Sequence, residues 1–275
     1  MKNHSASTSA STTRRDFVGL LAAAGAALPL AGLTATARAA EGKAAKKAAS
    51  AVAGAGGPTV VHVFSKPFHW MSHAETAKII AAAGYGGIDY TVRKAQPHVL
   101  PEKVDEELPR AIEAAHAAGL KVEMITTDIT SARDPLAEKV LRAAAKHGVK
   151  FYRLGNWSYD VKLGVFPSLA KLKPTLKELA DLNGSLGLHG ALQNHAGVRV
   201  GAAIWDLYEL LRDLDPKAIG VQYDIRHAVV EGGQSWPLAL RLLAPWIRCS
   251  DIKDFKWLQS PGKAVIENVP LGEGV

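Results

Sequence analysis

The sequence predicts an α/β fold, a (β/α)8 TIM barrel, on three observations. From Pro58 onward short β-branched runs alternate with amphipathic helical stretches, the pattern of a parallel sheet covered by helices. Strand starts recur about every 30 residues, the spacing of a closed eight-fold barrel. An open doubly wound sheet usually carries a Gly-rich phosphate loop after its first strand. That place here holds Ser65-Lys66-Pro67-Phe68-His69-Trp70.

The strands are expected at 59–64, 87–91, 121–126, 150–154, 188–193, 219–223 and 247–252. Helical periodicity covers 73–83, 104–118, 134–147, 169–186, 203–214 and 236–243. Gly84, Gly119, Gly148 and Gly187 each follow a helix and suit the left-handed residue that closes one. Ser72 and Asp134 are expected helix caps, and Ser72 with Glu75 three residues on reads as a capping box. Seven strands are accounted for before the chain reaches Pro270-Leu271-Gly272-Glu273-Gly274. An eighth strand and helix would need about 25–40 further residues. The expectation is therefore a barrel lacking its eighth unit, either a fragment or a barrel open at that seam.

Three segments are expected: 1–39 a twin-arginine export signal, 40–57 a flexible tether, and 58–275 the barrel. Arg14-Arg15 precede an apolar run over 18–33, and Ala37-Arg38-Ala39 offers a small-x-small cleavage site. The run is rich in Ala and Gly and weak for a permanent span, so no stable membrane insertion is expected after cleavage. The mature protein is expected to be periplasmic or otherwise exported. Residues 40–57 hold Ala, Lys and Gly with almost no large apolar side chain, too little to offset the entropy of ordering.

The formal charge of +7 sits largely in these two segments. Lys2, Arg14, Arg15 and Arg38 against Asp16 carry +3, and Lys43, Lys46 and Lys47 against Glu41 carry +2. The remaining +2 is too small to suggest a nucleic-acid partner. Cys249 is the only cysteine, so no disulfide forms within the chain, and it reads as a small core residue.

Polar residues gather where the strands end, which in such a barrel is the face that carries chemistry. Strand two ends Asp89-Tyr90-Thr91-Val92-Arg93 and strand four Arg153-Leu154-Gly155-Asn156. Strands five, six and seven end Gln193-Asn194-His195, Asp224-Ile225-Arg226-His227 and Asp251-Ile252-Lys253-Asp254. Alternation sends Gln193 and His195 to one side, with Asn194 turned away, and pairs Asp251 with Lys253. Asp224 and His227 form a D-x-x-H pair, a carboxylate and an imidazole that suit a divalent metal.

These strand-end stretches resemble the sugar phosphate isomerase/epimerase family of xylose isomerase-like barrels, most closely its exported branch. Besides the ends above, the resemblance rests on Phe64-Ser65-Lys66-Pro67, Gly86-Gly87-Ile88, Ala196-Gly197, Gln222-Tyr223, Ala228, Phe255 and Pro270-Leu271-Gly272-Glu273-Gly274, in the family's order. It implies a divalent cation (Mn, Zn, Mg or Co) at the barrel mouth and a small carbohydrate substrate. It also implies proton abstraction beside a carbonyl. Gln193, Asp224 and Asp251 would be the metal ligands, with His195, His227 and Lys253 catalytic. Lys66, Asp89, Arg93, Arg153, Asn194 and Asp254 would contact substrate. A homo-oligomer is compatible with the family.

The chain departs from the family pattern in three places. The strand-five glutamate is Gln193, which cannot take a proton. The histidine two residues before Lys253 is Asp251, and the strand-eight glutamate would lie beyond the end of this chain. A two-glutamate epimerase mechanism is therefore not supported by these residues. The imidazoles, titrating near neutrality, become the expected proton carriers, with Lys253 or Arg153 holding an oxyanion. The alternatives are a keto-sugar lyase or hydratase, and a noncatalytic carbohydrate-binding barrel. An apurinic endonuclease, which shares the fold, would need more histidines and a basic groove.

Overall fold

The computed structural model describes residues 60–275. The expected signal and tether, residues 1–39 and 40–57, lie outside the described residues. Seven parallel strands pair in sequence order: β1 (His62–Phe64), β2 (Gly87–Val92), β3 (Lys121–Thr127), β4 (Phe151–Arg153), β5 (His189–Gln193), β6 (Ile219–Asp224) and β7 (Ile247–Asp251). Helices α1 (His73–Ala82), α2 (Val104–Ala117), α3 (Ala137–Lys146), α4 (Val165–Leu186) and α5 (Trp205–Leu211) follow β1 to β5 in turn, and α6 (Ile225–Gly232) and α7 (Trp236–Leu243) follow β6. This is the curled parallel sheet of an incomplete (β/α) barrel. Among the described residues no helix is long and apolar enough to cross a membrane.

Strand alternation divides the core. Tyr90, Tyr152 and Tyr223 are fully buried and turn outward to the helices, as their partners demonstrate. The Tyr90 ring meets His73 of α1 edge-on, and the Tyr223 hydroxyl reaches the Trp236 carbonyl of α7. Residues one step away, including Asp89, Arg153, Gln222 and Asp224, face the barrel interior. A polar lining at the strand ends follows from this parity.

The capping box forms as expected: the Ser72 hydroxyl accepts from the Glu75 N–H, and the Ser72 N–H donates to the Glu75 carboxylate. Asp134 is a correction. Helix α3 begins at Ala137 after Leu136, and Asp134 instead closes the turn before it, accepting from the Leu136 N–H at 3.1 Å. Helix α5 is shorter at both ends than its periodicity suggested.

Two elements were not anticipated. Helix α6 starts directly from β6, capped by the Asp224 side chain. Beyond β7 the chain forms an antiparallel hairpin, β8 (Asp254–Ser260) with β9 (Lys263–Val269). Its turn is Pro261-Gly262, with Gly262 at φ 75°, the conformation that the third residue of a type II turn demands.

Asn183 of α4 fastens the helix layer to the sheet. Its carbonyl oxygen accepts from the Tyr152 hydroxyl at 2.9 Å, and its amide donates to the Ala218 carbonyl at 3.0 Å. Gly190 lies against this pair: a Cβ there would stand 2.6 Å from Asn183 Nδ2 and 2.8 Å from the Tyr152 hydroxyl. Gly190→Ala is therefore expected to destabilise the protein by about 1–3 kcal/mol, the usual range for overpacking a core. A lowered urea midpoint would show it; an unchanged midpoint would mean that the network shifts freely.

Candidate functional site

The ends of β4 to β7 converge on one cluster of charged side chains. At its centre Asp224, the last residue of β6, has no exposed surface. Its Oδ1 caps α6 by accepting from the His227 N–H at 3.1 Å. Its Oδ2 accepts from the Gln193 amide at 2.8 Å and from the Lys253 ammonium. Its backbone is held on both sides by Asn194, which accepts from the Asp224 N–H at 2.7 Å and donates to the Asp224 carbonyl at 2.9 Å. A polar residue at the end of a buried strand is thus fixed in side chain and main chain together.

Asp251, at the same level on β7, completes the acidic pair. Its Oδ1 accepts from the Gln222 amide at 2.7 Å, and its Oδ2 from the Gln193 amide. Lys253 Nζ is also 3.4 Å from that Oδ2. The Gln193 amide is oriented by Arg153, whose Nη1 donates to Gln193 Oε1 at 2.9 Å. A guanidinium can only donate, so the amide oxygen faces Arg153 and the NH₂ faces both carboxylates.

Lys253 is placed by what surrounds it in sequence. Only Ile252 and Lys253 separate β7 from β8. On the far side Asp254 is anchored: its Oδ2 accepts from the Gly272 and Gly274 N–H groups at 2.8 and 2.9 Å, and its Oδ1 from the Phe255 N–H. The ammonium is thus delivered from a short, doubly anchored connection. Beside it opens a cleft of about 450 Å³ whose lining includes Arg226, His227, Ile252, Lys253, Asn268 and Leu271, large enough for a small polar ligand.

His195 and His227 stack face to face with centroids 4.4 Å apart. Burial first, then the neighbouring positive charges, lowers each to about 4, so both are neutral near pH 7. His195 Nδ1 accepts from the Ala196 N–H at 2.8 Å, and His227 Nδ1 faces the Arg226 guanidinium at 3.3 Å. Both rings therefore carry their proton on Nε2. The expected proton carriers are donors in this arrangement rather than ready bases.

Deeper in the barrel lies Asp89. Its Oδ2 accepts from the Thr126 hydroxyl at 2.8 Å, while Oδ1 is buried with no hydrogen-bond partner. Desolvation outweighs that bond and the attraction of Arg153 and Arg93, pushing the carboxyl up to about 7. Arg93 and Arg153 both lie over the Phe64 ring, at 5.6 and 5.8 Å, and Arg93 also donates to the Ala95 carbonyl. Burial, with Asp251 and Asp89 nearby, raises the Cys249 thiol, which is thereby no nucleophile.

Of the residues expected at a site, Gln193, Asp224, Asp251, Lys253, His195, His227 and Arg153 come together, with Asp89 below them. Lys66 does not join them. It is exposed on the 3-10 turn Lys66–Phe68. Asn194 and Asp254 direct their side chains to backbone groups and so act as anchors, and Asp254 also lines the cleft. Gln222 was missed, although it stands two residues before Asp224 on the same strand face, the relation that selects inward side chains.

The sequence matches the family model for the xylose isomerase-like TIM barrel over residues 77–275. The chain belongs to that family. Solved structures of similar fold include a xylose isomerase-like TIM barrel protein from Mycobacterium smegmatis in complex with magnesium (TM-score 0.57, 15% identity, 78% of this chain and 82% of that one). A probable 3-DHS dehydratase, AsbF, from Bacillus anthracis is similar as well (TM-score 0.57, 14% identity, 72% and 74%). So is a 3-keto-D-glucoside 4-epimerase from E. coli (TM-score 0.55, 13% identity, 70% and 78%). No curated protein matches the chain at the sequence level.

The divalent cation that the family implies can be tested against the donors. Gln193 offers the carboxylates its NH₂ and offers Arg153 its oxygen, so as a ligand it points the wrong way. Both Asp224 oxygens and both Asp251 oxygens already accept hydrogen bonds. Among the described residues no group of three or more His, Cys, Asp or Glu side chains has metal-holding geometry. The residues as arranged do not fit a divalent ion.

Asp89 supplies a prediction whose sign is fixed. Its folded-state value of about 7 stands above the reference 3.8, so the unfolded chain releases this proton first as pH rises. Its contribution to stability is full below about pH 3.8 and is lost as pH climbs through about 7. Asp89→Asn, which never ionises, should therefore gain stability relative to wild type between pH 4 and pH 8. Urea midpoints of the two proteins measured across that range check this. Curves that stay parallel would show that Asp89 titrates normally.

Proposed function

We propose that the chain is a sugar isomerase/epimerase-like enzyme that moves a proton on the carbon beside a carbonyl of a small carbohydrate. The observation that carries this reading is the meeting of an acidic pair with ammonium and imidazole N–H donors at the mouth of the barrel, next to an open cleft. Binding alone would need hydrogen-bonding groups but not this density of titratable ones. The family supports it, as do the similar folds of a 3-keto-D-glucoside 4-epimerase and a probable 3-DHS dehydratase.

Within this reading Asp251 takes the proton, its Oδ2 giving up the hydrogen bond that it accepts from the Gln193 amide. It is the more accessible of the pair, with 22% of its side chain exposed, while Asp224 is sealed and caps a helix. Negative charge then builds on the substrate oxygen. The Lys253 ammonium and the Nε2–H of His227, with its stacked partner His195, are the donors able to stabilise it, and a neutral imidazole can do so. Reprotonation of the same carbon on its opposite face would complete an epimerisation, and return of the proton to the neighbouring carbon, with a proton passed between the two oxygens, an isomerisation. Losing a β-hydroxyl instead would make the enzyme a lyase, the proton taken up by Asp251 passing to the departing hydroxyl so that it leaves as water. No step passes through a metal ion, because the ligands that the resemblance implied are turned to other partners. We further propose, on the twin-arginine leader, that the enzyme works outside the cytoplasm.

The test is solvent exchange. A panel of ketoses and 3-keto glycosides incubated with the protein in deuterated buffer should acquire deuterium at the carbon next to the carbonyl, read by mass spectrometry. Asp251→Asn should slow that uptake about 10²–10⁴-fold, the usual worth of a positioned base. Sugar binding with no exchange in the wild type would establish the noncatalytic reading instead.

A further inference from the structure

The geometry points to Lys253 as the resident cation of the acidic centre: its ammonium occupies the place between Asp224 and Asp251 and keeps divalent metal ions out. This inference stands whether or not the site turns over a sugar, because it concerns only what balances the carboxylates.

Three observations carry it. First, Lys253 Nζ contacts Asp224 Oδ2 and lies 3.4 Å from Asp251 Oδ2, so one ammonium touches both members of the pair, as a bridging ion would. Second, the Gln193 amide presents its NH₂ to the same two oxygens, held that way by Arg153. Turning its oxygen toward a metal would set its NH₂ against a guanidinium, two donors face to face. Third, the charges already balance. Asp224 and Asp251 are compensated by Lys253 directly and by Arg153 through the Gln193 amide. A divalent ion placed between Asp224 and Asp251 would have to displace the ammonium and meet the Gln193 NH₂, at a site where Asp224 is wholly buried.

The fold supports this use of the residue. The connection carrying Lys253 is two residues long and is fixed by the β7 ladder on one side and by Asp254 on the other. The ammonium therefore reaches the pair from a fixed origin rather than from a free loop. Asp251, Lys253 and Gln193 contact one another as one set, in which the ammonium and the amide NH₂ both meet Asp251 Oδ2.

The experiment is a titration of the full-length protein with manganese(II) chloride alone. It is followed by calorimetry and by the thermal midpoint, with no sugar present. Wild type should bind no stoichiometric Mn²⁺ and keep its midpoint. Lys253→Ala should bind one Mn²⁺ per chain at least tenfold more tightly than wild type, and the ion should raise its midpoint. The double variant Lys253→Ala/Asp224→Asn should lose that binding. Lys253→Gln, which keeps the length of the side chain without its charge, provides the same comparison if the alanine variant does not fold. Stoichiometric Mn²⁺ binding by wild type that Asp224→Asn abolishes would overturn the inference. So would a folded Lys253→Ala or Lys253→Gln that binds Mn²⁺ no better than wild type. Neither result depends on deuterium exchange, so a failure of the enzymatic reading stays distinguishable from a failure of this one.

Discussion

A carboxylate with no exposed surface needs compensation, and the site is arranged around supplying it to Asp224. An isolated buried charge is costly, and an opposing charge offsets that cost only with good geometry and further hydrogen bonds. Here the Lys253 ammonium, the Gln193 amide, the His227 N–H and both polar atoms of Asn194 converge on one residue. The hairpin connection, the Gln193 amide as Arg153 orients it, and the start of α6 all meet at that carboxylate.

The same constraint explains the chain's departures from its family. In the pattern that the resemblance implies, acidic and imidazole ligands surround a metal ion. This chain has an amide on strand five and a carboxylate at the histidine position of strand seven. The amide would weaken a metal site, while the carboxylate exchanges an imidazole ligand for a harder oxygen one. Together with Lys253 they compose a set whose charges close without a metal ion. Arg153 matters as much as the carboxylates, since it decides which end of the Gln193 amide the acidic pair meets. The neutral His227 lines the cleft with His195 stacked on it, and its Nε2 lies 3.7 Å from Asp224 Oδ2.

Much of the fold was legible because barrel strands and helices announce themselves locally. Seven short β-branched runs and their glycine-closed helices matched the seven strands in order, within a few residues at each end. The hairpin β8–β9 was not anticipated, because strand counting looked for an eighth parallel unit at the regular spacing. The Pro261-Gly262 turn between two alternating runs was the signal that was passed over. Helix α6 was hidden by reading Asp224 and His227 as a ligand pair. The same D-x-x-H spacing is what an N-cap and its third helical residue produce. At the site, parity correctly sent Gln193, Asp251 and Lys253 inward. It could not say that Arg153 would turn the amide, nor that Asn194 and Asp254 would be consumed by backbone groups. Those outcomes depend on contacts between residues tens of positions apart.

The central claim is that Asp224 and Lys253 depend on each other, and a double-mutant cycle measures this most directly. Unfolding free energies of wild type, Asp224→Asn, Lys253→Met and the double variant isolate the pairwise term. The structure predicts a coupling of about 1–3 kcal/mol, each single change being costly and the double costing less than their sum. Effects that add to within about 0.5 kcal/mol would mean that the ammonium does not compensate the carboxylate, and the account of the site built on that pair would be wrong.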